Sequence, residues 1–415
     1  MDVNISDIAN EFNNKVSPVR EIMNYADKRI LVSLGIMADN FISFGGGWVN
    51  HSSPEDLRES YLKIISDKDK FHFSGGYSPT PGENFCKDAI INFEESIFSM
   101  QGLLQDEIII GQSSTQLTYF LLKVLLNKDD KILFLDPTYC NYQLQNNIFN
   151  PGEILNFQVI EPDNFVYSAN NPEKISLIKD FVRKEKPKIV FLVSPDNPTG
   201  QVLSDEFVDS VYNEVKKYGG AVVIDFAYKT LVFGDYPKYF SKKPDGNFIT
   251  IHSNSKWGRN LGRRMGWLEA PEYILRAYET FQSATLLCPD RLHQMAFAEY
   301  IETSIKNGTL NEYISKTKEQ YKKTAEHTES CIERYLKLPY ISPSGGIYIC
   351  LKVSENSAKF VQKVLKNTGV LFIPGWGFGS SLSESVRLSF GPLVNNYELI
   401  DKGLNKVGEY LSHAD

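Results

Sequence analysis

Five short polar motifs in the chain contain residue types that carry out chemistry. A lysine amine can act as a nucleophile and a proton acceptor, arginine binds carboxylate or phosphate, and the start of a helix binds anions. The motifs are Gly111-Gln112-Ser113-Ser114-Thr115-Gln116, Asp136-Pro137-Thr138-Tyr139, Ser194-Pro195-Asp196-Asn197-Pro198-Thr199-Gly200, Asp225-Phe226-Ala227-Tyr228 and Ser253-Asn254-Ser255-Lys256, the last followed by Gly262, Arg264 and Gly266. Each motif alone has an ordinary structural explanation: a helix N-cap, a turn, a buried salt bridge or a solvated lysine.

The apolar segments around these motifs predict the elements that position them. Seven short runs, most of them apolar without alternation, are typical of strands covered on both faces. They are Glu107–Ile110, Lys131–Leu135, Ile154–Ile160, Lys188–Val193, Ala221–Asp225, Phe248–His252 and Met265–Leu268. Helical patterns at Gln116–Asn127, Pro172–Lys184 and Ser204–Tyr218 lie between them. This alternation predicts an α/β fold with a mostly parallel seven-stranded sheet.

The positions of the motifs connect them, because four follow a predicted strand directly and the fifth begins with Asp225, which ends its own strand. In open α/β sheets, ligands bind outside the carboxyl ends of the strands. Together the five motifs therefore predict a single site on one rim of the sheet.

The domain organisation follows from a change in pattern near residue 290. A long helical region, roughly Arg291 to Leu336, precedes shorter strand and helix signals that end at Leu411. We expect a large domain over residues 50–290 and a small α+β domain formed by residues 1–49 and 291–415.

Composition excludes several classes of protein. Lys and Arg total 44 against 51 Asp and Glu, a formal charge of −7 without a basic cluster, which disfavours nucleic acid and anionic lipid as partners. No signal peptide and no apolar stretch long enough to span a membrane is visible. Five scattered cysteines suit a reducing compartment, and six histidines show no metal-ligand spacing. We therefore expect a cytoplasmic enzyme without a metal site.

With these motifs, the sequence resembles the class I/II aminotransferases of pyridoxal-phosphate (PLP) fold type I, the aspartate aminotransferase-like enzymes, over nearly its whole length. The family pattern is Ser-x-Ser-Lys followed by Gly-x-Arg-x-Gly, and Arg264 stands eight residues after Lys256 as in that pattern (264 − 256 = 8). Pro374-Gly375-Trp376-Gly377-Phe378-Gly379 and Val386-Arg387-Leu388-Ser389-Phe390 resemble the family's PGxxFG and RLSF segments. The resemblance implies an enzyme of amino-acid metabolism that moves an amino group between an amino acid and a 2-oxo acid, with pyridoxal 5'-phosphate as cofactor.

The resemblance also implies a role for each residue around the cofactor ring. Lys256 would bind PLP as a Schiff base and then move the substrate's Cα proton. Asp225 would keep the pyridine nitrogen protonated, which makes the ring an electron sink. Asn197 and Tyr228 would hydrogen-bond the phenolic oxygen, and Tyr139 would stack on the ring.

A second group of residues would bind the cofactor phosphate. Its members offer backbone N–H groups at a helix start, hydroxyls or positive charge: Ser113, Ser114, Thr115, Ser253, Ser255 and Arg264. In the family a tyrosine from the neighbouring subunit completes this cup. Tyr77 is the candidate, which implies a homodimer with shared active sites. An ordinary turn residue is the alternative for Tyr77.

Three residues are the candidates for binding substrate. Arg387 would bind the α-carboxylate bidentately, unless it forms a surface ion pair. Gly47 and Trp48 belong to Phe44-Gly45-Gly46-Gly47-Trp48, which resembles the family's N-terminal substrate loop. Trp48 there suggests an apolar or flat substrate side chain, and a core tryptophan is the alternative.

The chain departs from the family pattern at several positions, and these leave its branch of the family open. Gly258 stands two residues after the lysine instead of three, Arg259 takes the third place, and Ser113 stands where glycine is common. Lys87 stands where the family often has arginine, and Arg263 adjoins the phosphate arginine.

The main alternative to an aminotransferase is a PLP-dependent lyase, cyclase or oxidase, because the same ring contacts serve all of these reactions. A PLP-sensing DNA-binding regulator is disfavoured, since it needs a basic helix-turn-helix arm before the core.

Overall fold

A computed structural model describes residues 4–12, 27–149 and 152–414. Its α-helices are Asp7–Phe12, Lys28–Ser33, Glu55–Ser66, Lys68–Ser74, Asn84–Phe98, Ser113–Leu125, Cys140–Phe149, Pro172–Glu185, Asp205–Lys216, Glu272–Thr285, Arg291–Asn307, Thr309–Cys331, Ser357–Thr368 and Tyr397–Ala414. Its strands are β1 (Ile42–Ser43), β2 (Ile108–Gly111), β3 (Lys131–Asp136), β4 (Glu153–Gln158), β5 (Ile160–Glu161), β6 (Val166–Tyr167), β7 (Ile189–Val193), β8 (Ala221–Asp225), β9 (Phe248–Ser253), β10 (Gly266–Glu269), β11 (Tyr340–Ile341), β12 (Tyr348–Lys352), β13 (Val370–Leu371), β14 (Ile373–Pro374) and β15 (Ser385–Ser389). Across these three ranges, the helices all lack the combination of length and apolar character that a bilayer span requires.

The central element is a seven-stranded sheet of order β2-β10-β9-β8-β7-β3-β4. Strand β10 is antiparallel to both neighbours, so the other six strands share one direction. Strands β7, β8 and β9 are buried at every position, because helices cover both faces of the sheet. The predicted α/β fold with seven strands is therefore confirmed, and the carboxyl ends of β2, β3, β7, β8 and β9 meet on one rim.

Two predicted elements were wrong in detail. The strand expected to end at Ile160 ends at Gln158, because Ile160–Glu161 leaves the sheet and pairs with Val166–Tyr167. The single long helical region from Arg291 is interrupted at Gly308. That residue has a φ of 76°, a left-handed conformation that ends one helix before Thr309 begins the next.

A second sheet, of order β11-β12-β15-β14, lies in the C-terminal part of the chain. The N-terminal strand β1 pairs in parallel with β13, and Phe44 stacks on Phe372 with ring centroids 5.6 Å apart. The predicted limits assign helix Arg291–Asn307 to the small domain. Its Phe297, however, packs in the same core as Phe93 beneath the large sheet. The domain limits at residues 49 and 290 stay a prediction.

Candidate active site

A cavity of about 250 Å³ lies where the carboxyl rim of the large sheet meets the C-terminal sheet. It brings together every predicted cofactor ligand except Tyr77, and both Gly47 and Arg387 from the predicted substrate residues. Its lining residues are Gly47, Ser113, Ser114, Thr115, Tyr139, Tyr142, Val193, Asn197, Asp225, Ala227, Tyr228, Ser253, Ser255, Lys256, Leu261, Arg264, Tyr348 and Arg387.

Lys256 lies in the loop after β9, where its amine is partly buried. Its Nζ donates a hydrogen bond to the backbone oxygen of Gly47. Burial, together with the positive charges of Arg387 and Arg264, lowers the pKa of this amine to about 8, while Asp225 acts in the opposite direction. Near neutral pH a larger fraction of this amine is therefore neutral than of an ordinary lysine, as a nucleophile or proton acceptor requires.

Asp225 ends β8 and is almost fully buried at the cavity floor. Its carboxylate accepts a 2.8 Å hydrogen bond from the Tyr142 hydroxyl and another of 2.8 Å from the Ala227 N–H. Burial raises the pKa of Asp225, and these two hydrogen bonds oppose that shift by favouring the ionised form. A buried carboxylate held in this way can pair with a protonated ring nitrogen.

The other end of the cavity is built to hold an anion. Helix Ser113–Leu125 begins there, and its N-cap residue Gln112 makes no side-chain cap hydrogen bond, so the first-turn N–H groups can face a bound group. Arg264 donates to the Ser113 hydroxyl and, at 2.7 Å, to the backbone oxygen of Leu261. The hydroxyls of Ser253 and Ser255 lie 2.9 Å apart beside them. Charge, hydroxyls and uncapped N–H groups together fit a phosphate.

Arg387 projects from β15 on the opposite wall and is only 1% exposed, so its interpretation as a surface ion pair is wrong. It donates 2.9 Å hydrogen bonds to Asn197 Oδ1 and to the backbone oxygen of Gly45, and its guanidinium lies 4.3 Å from the centre of the Tyr348 ring. Its buried Nε has no hydrogen-bond partner among the described residues. A buried guanidinium with an unpaired N–H, and without a carboxylate partner in the described ranges, fits an anionic ligand.

Sequence reasoning missed two tyrosines that line the cavity. Tyr142 stands three residues after the predicted Tyr139, so one helical turn brings both to the same side, with ring centroids 5.4 Å apart. Tyr348 on β12 places its hydroxyl 2.6 Å from that of Tyr228. The helical spacing was the only signal for Tyr142, and nothing in the motif around Tyr348 distinguished it from a core residue.

Trp48 and Tyr77 lie outside the lining of this cavity. Trp48 is 41% exposed, so it is no core tryptophan, and its ring covers Gly46, where a Cβ atom would come within 2.5 Å of it. Tyr77 is 80% exposed, and its backbone oxygen accepts a hydrogen bond from Arg291. The Tyr77 side chain is therefore mostly exposed to solvent.

Four features of this cavity define an enzyme of PLP fold type I. They are a lysine on the carboxyl rim of a mainly parallel sheet, a buried aspartate, an anion-binding helix start and a buried arginine. The chain matches the family model "Aminotransferase class I and II" over residues 46–402, and it belongs to that family. The predicted family and the aminotransferase class are therefore confirmed.

Relatives that cover most of the chain have names that agree with this family. The chain is 24% identical to the aromatic-amino-acid aminotransferase 2 of Thermococcus litoralis over 94% of its length and 97% of the relative's. It is 26% identical to transaminase BacF of Bacillus subtilis over 84% of each chain. The fold matches that of Thermus thermophilus aspartate aminotransferase crystallised with maleate, with a TM-score of 0.82 at 18% identity, covering 98% of this chain and 100% of the other.

Proposed function

We propose that this aminotransferase binds PLP covalently on Lys256 and uses it to move an amino group between an amino acid and a 2-oxo acid. The observation that carries the proposal is one cavity lined by the Lys256 amine, the buried Asp225 carboxylate and the uncapped helix start at Ser113. These three features match the aldehyde, the ring nitrogen and the phosphate of the cofactor. The free Nε of Arg387 completes the set with a place for the substrate carboxylate.

Each residue of the cavity would have its own role in the reaction. Bound PLP would supply an electron sink for the negative charge that develops at the substrate's Cα. Lys256, with a pKa lowered to about 8, would take and return the Cα proton near neutral pH. Asp225 would hold the proton on the ring nitrogen, and Asn197 and Tyr228 would hold the phenolic oxygen. Arg387 would orient the substrate through its carboxylate.

Two measurements test this function. The purified protein should be yellow, and borohydride followed by peptide mass spectrometry should place the cofactor on Lys256. An amino acid added without a 2-oxo acid should convert the cofactor to its amine form and release one equivalent of 2-oxo acid. Elimination products or oxygen consumption without that amine form would instead favour the lyase, cyclase or oxidase alternative.

We further propose that the preferred amino acids carry uncharged, aromatic or apolar side chains. The cationic side chains that line the cavity in the described ranges are Lys256, Arg264 and Arg387. All three are assigned to the cofactor or to the α-carboxylate, so this subunit offers no further cation for an acidic side chain. Tyrosines supply much of the remaining wall. Spectral screening of amino acids tests the proposal, and faster turnover of aspartate than of phenylalanine would contradict it.

We also propose that the active enzyme is a homodimer in which Tyr77 reaches the phosphate in the partner subunit. The support is a group of exposed apolar side chains in the segment that contains Tyr77: Phe71 (55%), Phe73 (48%) and Tyr77 (80%). Arg291 packs over the Phe73 ring at 4.3 Å, which fixes this segment against the subunit's own helix Arg291–Asn307. An exposed aromatic surface of this kind is typical of an interface.

Mixed dimers test the shared site in solution. In a heterodimer of Tyr77→Phe and Lys256→Ala subunits, one site would carry both changes and the other neither. At limiting PLP the mixture should therefore be more active than either parent. A monomer by analytical ultracentrifugation, or a mixture no better than the average of its parents, would contradict the proposal.

A cytoplasmic location is proposed on the state of the cysteines. All five are free in the structure, and Cys86, Cys331 and Cys350 are buried. Free thiols persist in reducing compartments. Fractionation of cells that express the tagged protein would test this location.

A further inference from the structure

Three metal-binding side chains converge at a point in the C-terminal part of the molecule, outside the active-site cavity. His327 and Cys331 lie four residues apart on helix Thr309–Cys331, so both project from one face. Asp401, on helix Tyr397–Ala414, faces them. One ligand atom from each residue lies within 4.8 Å of the other two. Residue spacing does not predict this group, because Asp401 follows Cys331 by 70 residues (401 − 331 = 70).

The distances within this trio are close to those of a tetrahedral site. His327 Nε2 lies 2.7 Å from Asp401 Oδ2 and 3.5 Å from Cys331 Sγ. Zinc binds nitrogen and oxygen at about 2.0–2.2 Å and sulfur at about 2.3 Å, which sets neighbouring ligand atoms roughly 3.3–3.6 Å apart. The sulfur–nitrogen separation already fits, and the nitrogen–oxygen pair must open by less than about 1 Å.

The surroundings orient these ligands. The Tyr335 hydroxyl donates a 3.1 Å hydrogen bond to Asp401 Oδ1, which leaves Oδ2 directed at His327. Tyr397 packs on the imidazole with ring centroids 4.7 Å apart. Partners of this kind fix the ligand orientation in metal sites. The side chains of His327 and Asp401 are each 31% exposed, which provides an entry path and room for a water ligand.

We propose that His327, Cys331 and Asp401 bind one zinc ion, with water as the fourth ligand. His327 Nε2 cannot donate to Asp401 Oδ2 and at the same time accept from the Cys331 thiol, which lies 3.5 Å away and also hydrogen-bonds Asp401. A metal ion would satisfy all three ligand atoms at once. Binding would release the thiol proton to solvent and form a zinc–thiolate bond. The ion would link two helices of the C-terminal part, a role separate from amino-group transfer.

Zinc titration of the PLP-loaded enzyme by calorimetry tests the site, and X-ray absorption of the one-zinc complex identifies its ligands. The expected spectrum has one sulfur at about 2.3 Å and three nitrogen or oxygen ligands at about 2.0–2.2 Å. Zinc should also raise the melting temperature of the enzyme, because it binds the folded state. These readouts do not involve transamination, so they remain informative even if the proposed function is wrong.

Variants separate this site from adventitious binding at other thiols. Asp401→Asn keeps the size and the Tyr335 contact and should weaken zinc binding at least about 10-fold, and Cys331→Ser should remove the sulfur signal. Cys288→Ser is the matched control, because this partly buried cysteine lies outside the trio, and it should bind zinc like the parent. Absence of saturable binding, or equal affinity in the parent and Asp401→Asn, would overturn the proposal. A sulfur signal that survives Cys331→Ser would do the same.

Discussion

The two walls of the active-site cavity differ in how they are built. On the wall proposed to hold the cofactor, the charged side chains of Asp225 and Arg264 already have partners: Asp225 accepts two hydrogen bonds of 2.8 Å, and Arg264 contacts Ser113 and Leu261. The uncapped helix start at Ser113 is left for the phosphate. On the wall proposed to bind substrate, Arg387 is fully buried, yet its Nε has no partner in the described ranges. The first wall therefore holds its charged side chains in place before a ligand binds. On the second wall the terminal nitrogens of Arg387 bond Asn197 and Gly45, but the buried Nε–H is left for an anion.

The walls also differ in their origin along the chain. The cofactor wall comes from loops that directly follow β2, β3, β7, β8 and β9 of a single sheet. The substrate wall joins Gly47 near the N-terminus to Tyr348 and Arg387, whose strands β12 and β15 pair with each other. A cofactor that stays bound suits a wall set by one rigid sheet. A substrate that comes and goes suits a wall made of separate segments.

The largest expected effect lies on the cofactor wall, at Lys256. Lys256→Ala should abolish covalent PLP binding and lower kcat by at least the roughly 10²–10⁴-fold that a proton-transferring group contributes. Lys256→Arg is the control, because it keeps a cation but cannot bond covalently to the cofactor or act as a base at neutral pH. Borohydride trapping and steady-state rates measure both variants. Covalent cofactor in Lys256→Ala, or restored activity in Lys256→Arg, would contradict the proposed role.

Arg387→Lys should produce the next largest effect and should separate the two walls. The variant keeps the charge but loses the planar fork, so PLP should still bind while amino-acid affinity falls. One lost charged hydrogen bond of about 1.5–3 kcal/mol corresponds to roughly 10- to 150-fold. Spectral titration of the holoenzyme with amino acids measures this change.

Two outcomes would refute this separation of the walls. Normal amino-acid affinity in Arg387→Lys would make the residue structural, and the exposed Arg259 and Arg263 would be the next candidates for the carboxylate. Loss of PLP from the variant would instead mean that Arg387 serves the cofactor or the fold.

Tyr142→Phe should have a moderate effect on PLP affinity. It tests whether the cofactor wall is preset, that is, held in its binding arrangement before the cofactor arrives. The change removes one of two hydrogen bonds to the buried Asp225 carboxylate and should lower PLP affinity roughly tenfold. Burial already raises the pKa of Asp225, so loss of the Tyr142 hydrogen bond should raise it further. Asp225 must be ionised to pair with the ring nitrogen, so the acidic limb of the pH–rate profile should move to higher pH.

The matched control for Tyr142→Phe is Tyr273→Phe, at a tyrosine that is 66% exposed. It should leave both PLP affinity and the pH profile unchanged. An unshifted acidic limb in Tyr142→Phe would show that the hydroxyl only packs against Asp225 and does not tune it.

The two walls also differ in how well the sequence predicts them, because they come from different parts of the chain. Ser113 and Lys256 follow strands and Asp225 ends one, so strand order alone places them on one rim. Tyr348 lies in a strand of the second sheet and reaches the cavity only through packing, which leaves no local pattern. The break at Gly308 was likewise invisible, because one glycine within a helical pattern is also tolerated inside helices. The paired tyrosines and the free Nε of Arg387 are properties of three-dimensional contact, and spacing does not encode them.

The smallest expected effect concerns backbone strain at Ser113, where glycine is common in the family. Ser113 has a φ of 71°, in the left-handed region, and it is the first residue of the helix that begins at the cavity. Ser113→Gly and Ser113→Ala both lose the hydroxyl that Arg264 contacts, so this loss cancels when the two variants are compared. The left-handed conformation costs a residue with a Cβ about 1–2 kcal/mol, and the greater freedom of unfolded glycine offsets about 0.5–1 kcal/mol of the gain. The free energy of unfolding of Ser113→Gly should therefore exceed that of Ser113→Ala by about 0.75 kcal/mol in urea denaturation, the difference between the midpoints of these two ranges. Equal stabilities would mean that the loop relaxes to accept a Cβ, and the cofactor wall would then be no more preset than the wall that binds substrate.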